Sequence, residues 1–109
     1  MAKAVFNNKV IAESNDTVEV DRRLYFPESV VDKSALIPSD YRTHCPWKGD
    51  AHYYDIEVNG KKQIRAAFYY PEPSEEARHI KGRIAFNFGV DVHTDKDAGT
   101  TSSEQAWYK

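Results

Sequence analysis

One segment of the sequence, from Thr43 to Tyr54, contains most of the side chains that could do chemistry. It holds a thiol, two imidazoles, an ammonium group, a carboxylate and three aromatic rings. Cys45 and His44 are the candidate catalytic residues, because an imidazole beside a thiol favours the reactive thiolate. The alternative interpretation of Cys45 is a small apolar side chain in the core.

The same segment indicates a binding surface. Aromatic rings that surround a few polar groups are typical of small-molecule clefts. The candidate ligand-binding residues are Trp47, Lys48, Asp50, Tyr53 and Tyr69. Packing of the rings in the core is an equally good interpretation of these aromatics, and a solvated ion pair is the alternative for the two charged residues.

Cys45 is the single cysteine of the chain. One cysteine excludes an intramolecular disulfide and a zinc site built from paired cysteines. No metal site and no cofactor is predicted, since His44 and His52 do not have the spacing of a metal motif. We expect a cytoplasmic location, because a reducing compartment suits a lone thiol. The sequence shows no apolar signal core and no run near the roughly 20 apolar residues of a membrane span, so we expect no membrane association.

The charge of the chain does not favour nucleic acid. Its formal net charge is −2, from 15 Lys and Arg against 17 Asp and Glu, which gives no excess positive field for a phosphate backbone. The leading hypothesis is therefore a domain that binds an unknown small molecule. Two alternatives stay open: an enzyme that uses Cys45 or His44, and an interaction module for single-stranded nucleic acid or protein. The oligomeric state is also open.

The composition predicts one mainly β domain. A chain of 109 residues suits a single core, and its seven Tyr, five Phe and two Trp favour strands. We expect this domain to span residues 1–93. Residues 94–109 are mostly polar and small and predict a flexible tail, in which Trp107 and Tyr108 could dock on the domain.

Turn residues predict hairpins in the first half of the chain. Asn7 and Asn8 tolerate positive φ angles, and a two-residue turn there sets Val5 opposite Val10. A second hairpin is expected around the charged turn 21–23. Residues 28–40 are interpreted as a connection, with one short turn capped by Ser34.

A third hairpin joins residues 52–58 to residues 63–70. A three-residue loop with Gly60 in the left-handed region would set Tyr54 opposite Ile64, which keeps apolar residues facing apolar residues. We also expect Tyr53 and Tyr69 to share the polar face of this hairpin, where both can reach the ligand.

The last third of the domain predicts a short helix over residues 74–81, with Ser74 as its N-cap and Gly82 after its end. A strand follows over residues 82–88. Its alternation places Ile84, Phe86 and Phe88 on one face, and a last short strand is expected through Val90 and Val92.

Three stretches of the sequence, 43–54, 66–71 and 80–86, resemble the Domain of Unknown Function 427 family, over roughly residues 3 to 92. The resemblance implies a fold like the β-tent of methionine sulfoxide reductase B and the cereblon ligand-binding domain, here two antiparallel sheets without zinc. The family is also labelled nucleotidyltransferase-like, but no established activity comes with it. Nucleotidyl transfer requires paired carboxylates on a metal ion, and the sequence shows no such array. Lys48 and Gly49 lack the remaining frame of a phosphate loop.

Overall fold

The computed structural model describes residues 1–94, which form nine β-strands and three short 3-10 segments. The strands are β1 Ala2–Phe6, β2 Lys9–Ser14, β3 Val18–Val20, β4 Arg23–Pro27, β5 Leu36–Cys45, β6 Gly49–Val58, β7 Lys61–Tyr69, β8 Arg83–Phe86 and β9 Asp91–Thr94. The 3-10 segments are Glu28–Val30, Lys33–Ala35 and Glu75–Ile80. Of the tail predicted over residues 94–109, Thr94 is the last residue of β9, and the rest, with Trp107 and Tyr108, lies outside the described residues.

The strands form two antiparallel sheets, as predicted. The small sheet has the order β2-β1-β9, and the large sheet has the order β3-β4-β8-β7-β6-β5. Side chains on one face of the large sheet, including Ile56, Ala67 and Phe86, form the main core with Ala4 and Phe6 of the small sheet. We call this side of the large sheet the inner face.

The opposite, outer face of the large sheet carries a second core cluster. Tyr25, Phe68 and Ala85 pack there against Ala77 and Ile80 of the last 3-10 segment. Adjacent residues of a strand point to opposite faces, so each central strand contributes to both clusters. Within residues 1–94 there is no helix with the length and apolar character needed to cross a bilayer.

The first two hairpin predictions are confirmed. Asn7 and Asn8 have φ angles of 50° and 66°, and Val5 lies opposite Val10. The second turn is formed by Asp21 and Arg22, again with positive φ at both positions. Two consecutive left-handed residues match the right-handed twist of the strands that they join.

The predicted register of the third hairpin is wrong. Asn59 and Gly60 make a two-residue turn, and Tyr54 lies opposite Ala67 rather than Ile64. The irregularity lies further along β7, where Arg65 has a φ of 53° and its main-chain N–H donates to the Asp55 carboxylate at 2.8 Å. The two-residue turn alone would set Tyr54 opposite Arg65, and this bulge shifts the register by two further residues, so that Tyr54 lies opposite Ala67.

The connection predicted over residues 28–40 is wrong from Leu36 onwards, because a long strand begins there. β5 lies at the edge of the large sheet and none of its residues is fully buried. An edge strand tolerates Pro38, and without a buried face it lacks the alternation that reveals a strand. The short turn before it is capped by Asp32 rather than Ser34: the Asp32 carboxylate accepts the main-chain N–H of Ser34 at 3.0 Å.

The predicted helix is a six-residue 3-10 segment interrupted at Ala77. Ser74 does not cap it, because the Ser74 hydroxyl donates to the main-chain carbonyl of Trp47 instead. Gly82 has the predicted left-handed φ, at 76°.

The strand predicted over residues 82–88 ends at Phe86, and Phe88 is 56% exposed rather than aligned with Ile84 and Phe86. The main-chain N–H of Asn87 donates to the Ala66 carbonyl, and the chain turns there before Val92 pairs in β9.

Candidate functional site

The β5–β6 hairpin carries the chemically rich segment and divides its side chains between the two faces of the large sheet. His44 lies opposite Asp50, and Cys45 lies opposite Gly49. Because the side chains alternate, His44, Asp50 and His52 belong to the inner face, whereas Cys45 and Tyr53 belong to the outer face.

On the inner face, His44 and Asp50 form an exposed pair. Nδ1 of His44 lies 2.7 Å from a carboxylate oxygen of Asp50. A hydrogen bond at Nδ1 orients the ring and leaves Nε2 directed away from the carboxylate. The pair borders an open depression of about 500 Å³, which we call the histidine depression. Its lining residues are His44, Gly49, Asp50, His52, Pro71 and Glu72.

A row of three rings extends from this depression along the inner face. His52 meets Tyr69 edge to face, with ring centroids 5.6 Å apart. Tyr69 and Tyr54 are stacked, with centroids 5.2 Å apart and an interplanar angle of 25°. Both tyrosines are partly buried and pack against the margin of the main core.

The stacked tyrosines form the wall of a second hollow, of about 270 Å³, which we call the tyrosine cavity. Its lining residues are Glu28, Tyr54, Tyr69, Tyr70, Pro71, Lys81, Gly82, Arg83 and Ile84. Pro71 lines both hollows, so they adjoin. The main-chain N–H of Glu28 donates to the carbonyl of Gly82 at 3.0 Å, which joins the two loops on the far side of the cavity.

The charged side chains of the tyrosine cavity differ in whether they form ion pairs. The Arg83 guanidinium bonds the Asp16 carboxylate at 3.0 Å and main-chain carbonyls of Asp16 and Tyr25. Within residues 1–94 the Glu28 carboxylate and the Lys81 ammonium form no ion pair. Burial, together with Tyr69 and Glu28, raises the pKa of Tyr54, so its hydroxyl is a neutral group at physiological pH.

On the outer face, Lys48 is buried, with 7% of its surface exposed. Its ammonium lies 3.0 Å from the Asp21 carboxylate and faces the rings of Trp47 and Tyr70, at 5.6 Å and 5.2 Å from their centroids. Burial favours the neutral amine, but the hydrogen bond to Asp21 and the nearby hydroxyls of Tyr25 and Tyr70 outweigh it and raise the pKa of Lys48. Lys48 is therefore a fixed cation that holds two turns together.

Cys45 and Tyr53 pack against the cluster of the outer face. The hydroxyls of Tyr53 and Thr43 lie 3.1 Å apart, and the Tyr53 ring contacts Tyr41 at a centroid distance of 4.9 Å. Trp47, at the tip of the hairpin, is 38% exposed.

The predicted site residues therefore do not gather in one hollow. Tyr53 and Tyr69 lie on opposite faces, since His52 rather than Tyr53 pairs with Tyr69. Of the predicted ligand-binding residues, Tyr69 lines the tyrosine cavity and Asp50 lines the histidine depression. Trp47 and Lys48 lie beyond both hollows.

Sequence reasoning missed several lining residues. Tyr54 belongs to the chemically rich segment, but its alternation with Tyr53 places it on the apolar side of the hairpin, so the sequence does not predict it as a ligand-binding residue. Glu28 and Lys81 carried no signal, because they come from loops that only the folded sheet brings together.

The family model for a domain of unknown function, DUF427, labelled NTP_transf_9, matches residues 1–96. The chain belongs to the DUF427 family. The match includes every strand of the structure and both hollows, so the DUF427 domain contains the whole candidate site. No curated protein matches the sequence significantly. Within the described part of this DUF427 domain, no three His, Cys, Asp or Glu side chains are grouped so that they could hold a metal ion.

Proposed function

We propose that this DUF427 domain binds a small molecule with a planar ring in the tyrosine cavity. The observation that carries the proposal is the stacked pair of Tyr54 and Tyr69 at the wall of an open hollow. Aromatic walls with a few polar groups at the margin are typical of small-molecule sites.

The position of the two tyrosines supports binding. Each ring packs on the core along one side and remains partly exposed on the cavity side. A ligand ring that adds to such a pair gains roughly 0.5–1.5 kcal/mol beyond the burial of its area. The supporting rings are already fixed by packing, so little side-chain entropy is lost when the ligand binds.

The volume of the cavity limits the size of the ligand. At about 270 Å³ it lies just below the range of roughly 300–1,000 Å³ that is usual for drug-sized ligands. A single-ring compound therefore suits it better than an extended one. A longer ligand would continue past Pro71 into the histidine depression, where Asp50 and His44 are polar handles.

The other candidate residues act indirectly in this proposal. Lys48 pairs with Asp21, and the main-chain carbonyl of Trp47 accepts from Ser74, both on the outer side of the hairpin tip. Tyr53 packs against the outer-face cluster. They position the hairpin that carries Tyr54, and we assign them no direct contact with a ligand.

Titration with neutral aromatic probes tests the proposal. We expect phenol and indole to cause saturable shifts in the NMR signals of residues 69–71 and 82–84. Tyr54→Leu and Tyr69→Leu keep an apolar contact with the core but remove the stack, so they should weaken binding several-fold. Tyr41→Leu, on an exposed ring that contacts Tyr53, is the matched control and should leave binding unchanged. Unchanged binding in Tyr69→Leu, or shifts centred on Trp47, would place the site elsewhere.

A second candidate function is acid–base catalysis by His44 in the histidine depression. The observation that favours it is the 2.7 Å contact with Asp50, which orients the imidazole as a base requires. Hydrolysis of p-nitrophenyl acetate is a simple assay. It should fall to background in His44→Ala and in Asp50→Ala and persist in His79→Ala, which removes an exposed histidine of the last 3-10 segment. Equal rates in all four proteins would reject this function.

Other expectations stay predictions. The partly buried position of Cys45 beside the outer-face cluster gives its catalytic use no added support. The cytoplasmic location rests on the single cysteine, and the weak preference against nucleic acid rests on the net charge of −2.

A further inference from the structure

Two opposite charges border the tyrosine cavity, and neither has an ion-pair partner within residues 1–94. Glu28 and Lys81 both line the hollow and are exposed, and neither forms an ion pair among the described residues. Arg83, in contrast, pairs with the Asp16 carboxylate and donates hydrogen bonds to main-chain carbonyls. In the described part of the chain, the charges of the cavity that form no ion pair are therefore one carboxylate and one ammonium group.

From these groups we infer that the ligand of the tyrosine cavity is a zwitterion, a compound with an aromatic ring, a protonated amine and a carboxylate. The inference rests on the proposed function, since it describes the ligand of the same cavity. The ring stacks on Tyr54 and Tyr69, the amine pairs with Glu28 and the carboxylate pairs with Lys81.

The charge balance of the cavity argues for this class over simpler ones. A ligand with a single charge meets one attractive group and one repulsive group in the same hollow, so its net electrostatic gain is small. A neutral aromatic ligand gains only the stacking interaction with Tyr54 and Tyr69. The neutral hydroxyl of Tyr54 adds a hydrogen-bonding group without changing this balance.

The expected difference in affinity between the zwitterion and its singly charged analogues is small. Glu28 and Lys81 are exposed, and an exposed ion pair changes an equilibrium by no more than roughly fivefold. The zwitterion should therefore bind several-fold more tightly than an analogue that lacks either charge. High salt should reduce this advantage, because it screens exposed charges.

Four probes with the same phenyl group test the inference: phenylalanine, 2-phenylethylamine, 3-phenylpropionate and 2-phenylethanol. NMR titration of the full chain should give phenylalanine the highest affinity. Glu28→Gln should remove its advantage over 3-phenylpropionate, and Lys81→Gln should remove its advantage over 2-phenylethylamine. Glu57→Gln and Lys62→Gln change an opposed pair on β6 and β7 outside the cavity and should leave the order unchanged.

The outcomes separate the inference from the proposed function. If 2-phenylethanol binds as tightly as phenylalanine at residues 69–71, the inference that the ligand is a zwitterion is wrong. The proposed binding of an aromatic ring in the tyrosine cavity then stands. The same conclusion follows if a singly charged probe binds most tightly. If none of the four probes shifts those residues, the proposed function is wrong and the inference fails with it.

Discussion

The ammonium of Lys48 lies 3.0 Å from the carboxylate of Asp21, and this contact joins two turns that are distant in the sequence. Asp21 belongs to the turn between β3 and β4, and Lys48 to the turn between β5 and β6. The lysine is buried, whereas the side chain of Asp21 is 56% exposed. Loss of the aspartate charge would leave a buried ammonium without its counter-charge.

We predict that Asp21→Asn destabilises the domain by about 1–3 kcal/mol, which is the usual cost of leaving a buried polar group unsatisfied. Urea unfolding at pH 7 measures the effect. Glu19→Gln is the control, because Glu19 is an exposed carboxylate in the neighbouring strand β3. Equal stabilities of the two variants would show that the contact with Lys48 contributes nothing.

The buried tyrosine beside this contact predicts a loss of stability at alkaline pH. Burial raises the pKa of Tyr25 from 10.0 to about 12, and its hydroxyl has no hydrogen-bond partner among the described residues. Between these pH values the unfolded chain loses the tyrosine proton while the folded domain keeps it, so the free energy of unfolding falls as the pH rises. The raised pKa of Lys48 acts in the same direction, since its stabilising effect is complete below 10.5 and is lost above it.

Tyr25→Phe should therefore show a shallower alkaline decline than the wild type. At pH 7 its stability should lie within about 1 kcal/mol of the wild type, because no hydrogen bond is lost. Urea unfolding at pH 9, 10 and 11 gives the slope of the free energy of unfolding against pH for both proteins. Parallel slopes would show that Tyr25 is not responsible for the alkaline decline.

Gly49 predicts a steric effect at the start of β6. Its φ is 115°, and a Cβ there would lie 3.2 Å from the main-chain oxygen of Glu72. Gly49→Ala should cost about 1–3 kcal/mol, from backbone strain and the close contact together. Gly60→Ala is the matched control, because Gly60 also has a positive φ but open space around it. A greater loss of melting temperature in Gly60→Ala would be the contrary result.

Asp32 predicts a loss of stability in acid. Hydrogen bonds from Lys9 and Ser34 lower its pKa from 3.8 to about 2. The stabilisation is complete above pH 3.8 and is lost as the pH falls through 2. Asp32→Ala should be less stable by about 1 kcal/mol at pH 7, the usual cost of a lost cap. The difference in free energy of unfolding between Asp32→Ala and the wild type should shrink as the pH falls from 5 to 2. A difference that stays constant over this range would contradict the lowered pKa of Asp32.

Local chemistry made part of the fold predictable. Asn7 and Asn8 fix a two-residue turn, so the pairing of Val5 with Val10 follows from the turn, although the register shifts by one residue between Val5 and Ala4. In the third hairpin the contact of Asp55 with Arg65 stabilises a bulge well away from Gly60. No local pattern reveals such a bulge, since it depends on how β7 must meet both of its neighbours.

The two-residue turn at Asn59 and Gly60 explains why Tyr53 and Tyr69 do not share a cleft, whereas the bulge shifts the register by an even number of residues and leaves the faces unchanged. In the predicted register Tyr53 and Tyr69 share a face, whereas in the observed register Tyr53 lies opposite Phe68. A shift by an odd number of residues moves a side chain to the other face of a sheet. Glu28 and Lys81 could not be predicted as site residues, because only the pairing of β4 with β8 brings their loops to the same cavity.

A crystal structure of the domain soaked with phenol would show where an aromatic ligand binds. We expect the phenol ring to lie in the tyrosine cavity, in contact with the stacked rings of Tyr54 and Tyr69. Phenol bound around Trp47 on the outer side of the hairpin, with the tyrosine cavity empty at saturating concentration, would contradict this expectation.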